Sequence, residues 1–119
     1  MSDPKILDPT ALDRLREWGG EKLLAQMIRL FLENAPTRME QIRRGVTTRA
    51  VEEAEKGAHS LKSSAANVGA EAIRTLAAEM ERSATDGDVG AVTRQLPALE
   101  EAFTEGIQAL ESFQRGLGS

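Results

Sequence analysis

The sequence has no cysteine, no tyrosine, one histidine, one tryptophan and three phenylalanines in 119 residues. Without cysteine there are no disulfides and no thiolate metal ligands, a composition that suits a reducing compartment. With aromatics at 3%, the core has to be built from Leu, Ile, Val, Ala and Met, with Phe31, Phe103 and Phe113 as its bulky members. No apolar run approaches the ~20 residues needed to span a bilayer. The opening Met1-Ser2-Asp3-Pro4 carries neither the basic nor the apolar region of a secretory leader, so a cytoplasmic location is expected. The net charge is −4. A nucleic-acid partner calls for a basic footprint, and isolated spots such as Arg43-Arg44 do not supply one. Strand signals are missing too: no segment alternates with period two, and none is rich in β-branched residues.

What remains is helical periodicity. Asp8-Pro9 has the form of a helix start, with a capping carboxylate before a first-turn proline. Leu12, Leu15 and Trp18 give a short amphipathic helix that Gly19-Gly20 ends. Glu21 opens a longer one, with Leu24, Ile28, Phe31, Ala35, Met39, Ile42 and Val46 as an unbroken apolar stripe. Pro36 lies inside it, but the stripe keeps its phase, which favours one kinked helix over two. Thr48 is the expected N-cap of the next helix, with Glu52 and Glu53 in its first turn, where the dipole favours negative charge. Its inward positions are Val51, Ala54, Ala58, Leu61, Ala65 and Val68, and Gly69 permits the turn at its end. Ile73, Leu76, Ala77, Met80 and Ala84 mark the following helix. After Thr85-Asp86-Gly87, Asp88 caps a last helix through Val89, Val92, Leu96, Leu99, Phe103, Ile107, Leu110 and Phe113. Pro97 predicts a kink or restart near Leu96 in that helix.

The expected fold is therefore all-α. Long amphipathic helices joined by short turns predict an antiparallel up-down-up-down four-helix bundle, with a short additional N-terminal helix across one end. The chain reads as a single domain, 1–119, with 1–7 and 115–119 as loose ends.

His59 is the strongest candidate for chemistry. Its helical phase is off the seam through Ala58 and Leu61, which predicts a solvated face. Its helical neighbours are Glu55, Lys56, Lys62 and Ser63, with Ala66 a turn further on. A lone histidine on a surface is most often just that. A zinc site would need several ligands that this composition does not offer. A Ser–His hydrolase is disfavoured as well, because Ser60 and Ser63 share the helix of His59 with no strained turn or oxyanion hole nearby.

The run His59-Ser60-Leu61-Lys62-Ser63-Ser64, followed by Val68-Gly69-Ala70, resembles the signature of histidine-containing phosphotransfer (HPt) domains. Asp8 to Leu15 resembles that family's opening helix, and Leu30 to Pro36 its second helix with the internal proline. The resemblance implies a four-helix bundle with a phosphorylatable His59. It implies a phosphocarrier rather than an enzyme, relaying a phosphoryl group between receiver aspartates without kinase activity of its own. It places Lys62 as the cation near the phosphoryl oxygens, with Lys56 able to assist. Ser60, Ser63 and Ala66 would keep access to the ring open, and Gly69 would form the helix-end turn. Many members have Gly where this chain has Ser63; the hydroxyl is expected to reach the imidazole and fix its orientation. No cofactor or metal is expected on this chain, with Mg²⁺ on the partner receiver. The implied partners are receiver domains of response regulators or a hybrid histidine kinase, with no nucleic acid and no membrane insertion, and the chain is expected to be a monomer. The alternative is a non-catalytic bundle that docks a receiver or kinase. A histidine kinase fits poorly. Ser60, Leu61 and Lys62 do not match the acidic residue and proline that follow the His of a kinase dimerisation helix, and no Gly-rich nucleotide loop is visible.

Overall fold

Asp8 and Pro9 begin the fold as their chemistry dictates. The Asp8 carboxylate accepts the Thr10 N–H at 3.0 Å, and Pro9 takes the first helical position. In the computed structural model, which describes residues 5–117, four helices follow. They are α1 (Pro9–Thr47), α2 (Val51–Asn67), α3 (Glu71–Thr85) and α4 (Val89–Leu117). Gly19 and Gly20 leave helical geometry inside α1, Gly20 at φ +71°. The expected short helix is thus the first segment of α1, and the long one its second. That second segment runs through Pro36.

Consecutive helices are neighbours, α4 packs back against α1, and α2 and α4 sit across the diagonal. This is a closed four-helix bundle. Its core is aliphatic. Leu24, Ile28, Met39, Ile42, Leu61, Ile73, Met80, Leu99 and Leu110 are fully buried, and among the described residues no polar or charged one is. No helix among the described residues is long and apolar enough to cross a membrane.

Four local expectations need correction. Thr48 does not cap α2. Its hydroxyl donates to the Arg44 carbonyl at 2.8 Å and closes α1 instead. The chain then turns through Arg49 at φ +58°, and Ala50 becomes the first residue of α2's cap, without a side-chain bond. Pro97 causes no restart, because α4 is one helix across it. Pro97 is exposed, while Leu99, Phe103 and Leu110 beyond it are buried and hold the helix in phase. Trp18 is not in the core: Leu12 and Leu15 are buried, but Trp18 is 71% exposed. Steps of three residues drift about 60° per step around a helix, so Trp18 ends roughly 120° from Leu12. Finally, residues 115–117 are helical rather than loose. Residues 5–7 lack regular structure, and the loose ends assigned to 1–4 and 118–119 lie outside the described residues.

The α2–α3 turn is tied to the start of α1. Gly69 adopts φ +70°, and its carbonyl accepts the Asp8 N–H at 2.7 Å. A Cβ on Gly69 would lie 2.7 Å from the Asp8 carbonyl oxygen and 3.0 Å from the Ala11 Cβ. The left-handed conformation alone costs an L-residue ~1–2 kcal/mol, and the contact with Asp8 adds to that. Gly69→Ala should therefore lower stability by about 2 kcal/mol, read as a lower urea midpoint at unchanged slope. An unchanged midpoint would show that the Asp8–Gly69 tie contributes nothing.

Candidate functional site

Helical phase decides where His59 stands. Ala58 and Leu61 of α2 are fully buried, whereas the His59 side chain is 62% exposed. Three residues on, one helical turn, Lys62 lies on the same flank. Both side chains reach across to α3 and meet one carboxylate. Glu81 Oε2 lies 2.6 Å from His59 Nδ1, and Glu81 Oε1 lies 2.5 Å from Lys62 Nζ. Glu81 follows fully buried Met80 on α3, and its own side chain is only 21% exposed. It stands at the edge of the core, where its orientation is fixed.

The chemistry of this triad follows from what each group offers. The ammonium of Lys62 is the largest influence on Glu81. With a smaller contribution from His59, and against the cost of burial, it holds the carboxyl below its ordinary value near 4.5. An ionised carboxylate only accepts, so Nδ1 must donate. In the neutral imidazole the proton is therefore held on Nδ1 and the Nε2 lone pair is free. A histidine oriented in this way is a nucleophile at Nε2.

Around the ring, a groove of about 550 Å³ is lined by His59, Ser60, Lys56 and Glu55 of α2, Arg38 and Gln41 of α1, and Glu81. Glu55 is held in place by the Thr85 hydroxyl, which donates to it at 2.9 Å. Lys62 does not open into this groove. It lines a separate depression on the far side of Glu81, with Arg82 and Asp86.

The structure gathers the expected site residues unevenly. Ser60 lines the His59 groove, half-buried. Ser63 and Ala66 are exposed along the same helix. Gly69 is buried at the turn against Asp8 and sits away from the ring. Lys62 is engaged by Glu81 rather than free. The ring's partner is Glu81, not the Ser63 hydroxyl. Beyond Ala66 the surface turns apolar. Trp18, Leu23 and Met27 of α1 meet Ala66 and Asn67 in a second groove, and Leu30 is 47% exposed beside it.

Sequence reasoning missed Glu81 and Arg38. The available signal for Glu81 was distance from the turn. His59 lies ten residues before Gly69 and Glu81 twelve after it, so an antiparallel helix pair brings them level. Arg38 carries no such signal. Among the described residues, no three His, Asp or Glu side chains gather as a metal site.

The Hpt domain family model matches residues 26–113. This chain belongs to the Hpt family. Solved Hpt structures share its fold. Histidine-containing phosphotransfer protein B from Pseudomonas aeruginosa PAO1 superposes with a TM-score of 0.85 at 20% identity, over 92% of this chain and 95% of that one. The maize protein ZmHP2 gives 0.79 at 19% identity, over 95% and 85%. A putative histidine-containing phosphotransfer protein from rice gives 0.77 at 15%, over 96% and 85%. No curated protein matches the chain. The matched family span begins at residue 26, after Trp18.

The lowered carboxyl of Glu81 makes a pH prediction. A carboxylate whose folded value lies below its unfolded one contributes stability above the unfolded value, near 4.5. That stability is lost as pH falls through the lower folded value. Thermal melts of the wild type and Glu81→Gln should differ at pH 7 and converge as pH falls from 4.5 toward 3. A gap that stays constant across that range would remove the ionised Glu81 from the account.

Proposed function

We infer that this Hpt domain is a phosphocarrier in a phosphorelay and that His59 Nε2 carries the phosphoryl group. The observation that carries this reading is the bond from His59 Nδ1 to the Glu81 carboxylate at 2.6 Å, on a ring that stands exposed. It leaves one nitrogen, with its lone pair, facing outward. A surface histidine without a task needs no such support, and neither does a module that only docks.

The step balances simply. The Nε2 lone pair attacks the phosphorus of a receiver's aspartyl phosphate, in line with the P–O bond. The N–P bond forms as that P–O bond breaks, and the aspartate leaves as a carboxylate. The proton on Nδ1 stays where it is, so the phosphorylated ring is cationic, and Glu81 beside it offsets that charge. Lys62 in turn offsets the charge of Glu81 before transfer. To reach the phosphoryl oxygens, as the family resemblance assigns, Lys62 must exchange Glu81 for them. The reverse step returns the group to a second receiver's aspartate. Phosphoryl transfer depends on positioning and charge more than on elaborate covalent machinery. By this reading the receiver contributes the aspartate and Mg²⁺, and this domain contributes a fixed nucleophile without kinase activity, working as a cytoplasmic monomer.

Receivers of response regulators or of a hybrid histidine kinase would dock over His59, Ser60, Ser63 and Ala66 and onto the apolar groove at Trp18 and Leu30. Exposed tryptophans beside a site are frequent anchors of such contacts.

Incubation with a phosphorylated cognate receiver should give an acid-labile phosphate on the wild type and none on His59→Gln, while ATP with Mg²⁺ alone labels neither. Absence of transfer from every receiver of the source organism would overturn the reading. Ser63→Trp should slow transfer by about 10²-fold through misplacement of the reacting atoms, with an unchanged helical spectrum. Trp18→Ala should weaken receiver binding by about 2 kcal/mol, roughly thirtyfold in Kd, measured by titration calorimetry. Wild-type behaviour of both variants would place the docking face elsewhere.

A further inference from the structure

The groove beside His59 contains two cations that the triad does not use. Arg38 comes from α1 and Lys56 from α2, one turn before His59, and both open into the same space as the ring. Both are exposed, and neither forms an ion pair among the described residues. Paired arginines and lysines stand elsewhere: Arg16 with Asp13, Arg29 with Glu33, Arg43 with Glu40 and Glu100, Arg74 with Glu71, and Lys62 with Glu81.

Their placement is built into the helix packing. Gly57 is buried, and a Cβ there would lie 2.8 Å from Ile42 Cγ1 and 3.2 Å from the Arg38 carbonyl oxygen. The missing side chain lets α1 press against α2 two residues before His59. That approach sets the Arg38 backbone level with the ring. Of the two carboxylates in the groove, Glu81 is taken by His59 and Lys62, and Glu55 accepts from the Thr85 hydroxyl and lies within ion-pair distance of neither cation. Arg38 and Lys56 therefore face His59 with their charge available.

We propose that Arg38 and Lys56 form the cradle for the phosphoryl group on His59 Nε2, with Lys62 serving mainly to hold Glu81. The geometry favours this division. Nδ1 is bound to Glu81, and Nε2 lies on the opposite side of a five-membered ring. A group on Nε2 is directed away from the carboxylate to which Lys62 is tied. It enters a space where the cations at hand are Arg38 and Lys56. A planar guanidinium offers paired N–H donors that match two phosphoryl oxygens, and an ammonium adds a mobile point charge. Together they stabilise the dianionic form of the phosphoryl group and the charge that builds on its oxygens during transfer.

This rests on His59 being the phosphoryl carrier, and the test separates the two claims. The full chain is phosphorylated with potassium phosphoramidate, a small donor that needs no docking surface, and followed by ³¹P NMR. The phosphoryl resonance is titrated in the wild type, Arg38→Gln, Lys56→Gln, the double variant, and Arg94→Gln as a control of equal charge change on α4. Removing nearby cations disfavours the dianion. The titration midpoint should therefore rise by about half a pH unit or more in the double variant, by part of that in each single variant, and not in the Arg94 control. Labelling by phosphoramidate should slow in the same order. A double variant that titrates with the control overturns the cradle and leaves His59 as carrier. A wild type that takes up no phosphate on His59 overturns both.

Discussion

The contact on which the site depends is the close approach of α1 and α2. The inner face of α2 is made of Ala54, Gly57, Ala58, Leu61 and Ala65, all buried, so that only Leu61 has bulk. Small residues bring helix axes together: Gly45 of α1 stands against the Ala54 backbone, and Gly57 of α2 against Ile42 and the Arg38 backbone. An interior this dense tolerates little adjustment. The polar flanks of three helices are thereby fixed relative to one another, and side chains from α1, α2 and α3 share one groove.

Within that frame, the charges are distributed with economy. One carboxylate serves two neighbours on α2. It sets the proton position of His59 with one oxygen and binds the ammonium of Lys62 with the other. Because Lys62 offsets the charge, Glu81 stays ionised at the edge of an aliphatic core. Because Glu81 stays ionised, the imidazole keeps its proton on Nδ1. The His59 ring itself stands exposed, where a second protein can reach it. On the proposed reading, an exposed site of this kind leaves rate and specificity to the partner and to how it seats.

The surface around the ring is divided accordingly. On one side lie the charged groove and its cations. On the other, past Ser63 and Ala66, lies the apolar groove at Trp18, Leu23 and Met27, with Leu30 exposed beside it. The short first segment of α1 makes that second side possible. It is held against the α2–α3 turn by Leu12, Leu15 and the Asp8–Gly69 bond, and it ends at the glycine pair with Trp18 left outside.

The sequence by itself determined the helices and most of the core. Its 3.6-residue stripes identified Leu24, Ile28, Phe31, Ala35, Met39 and Ile42, and then Ala54, Ala58, Leu61, Ala65 and Val68, all of them buried. Burial is a local, periodic property, and one chain records it directly. Phase around the helix axis also put His59 outside the core, and the motif around it pointed to the family. Local reading failed where two signals competed within a turn. Thr48 could cap either neighbouring helix and closed the earlier one. Trp18 continued an apolar spacing past the point where any element faced it. The tertiary structure alone decided the partners. Glu81 on α3 bonds His59, and Arg38 on α1 shares its groove, only because separate helices pack side by side. No periodicity within one helix encodes which polar side chain of another will stand opposite, since that is set by axial offset and by how closely residues such as Gly57 let the backbones approach.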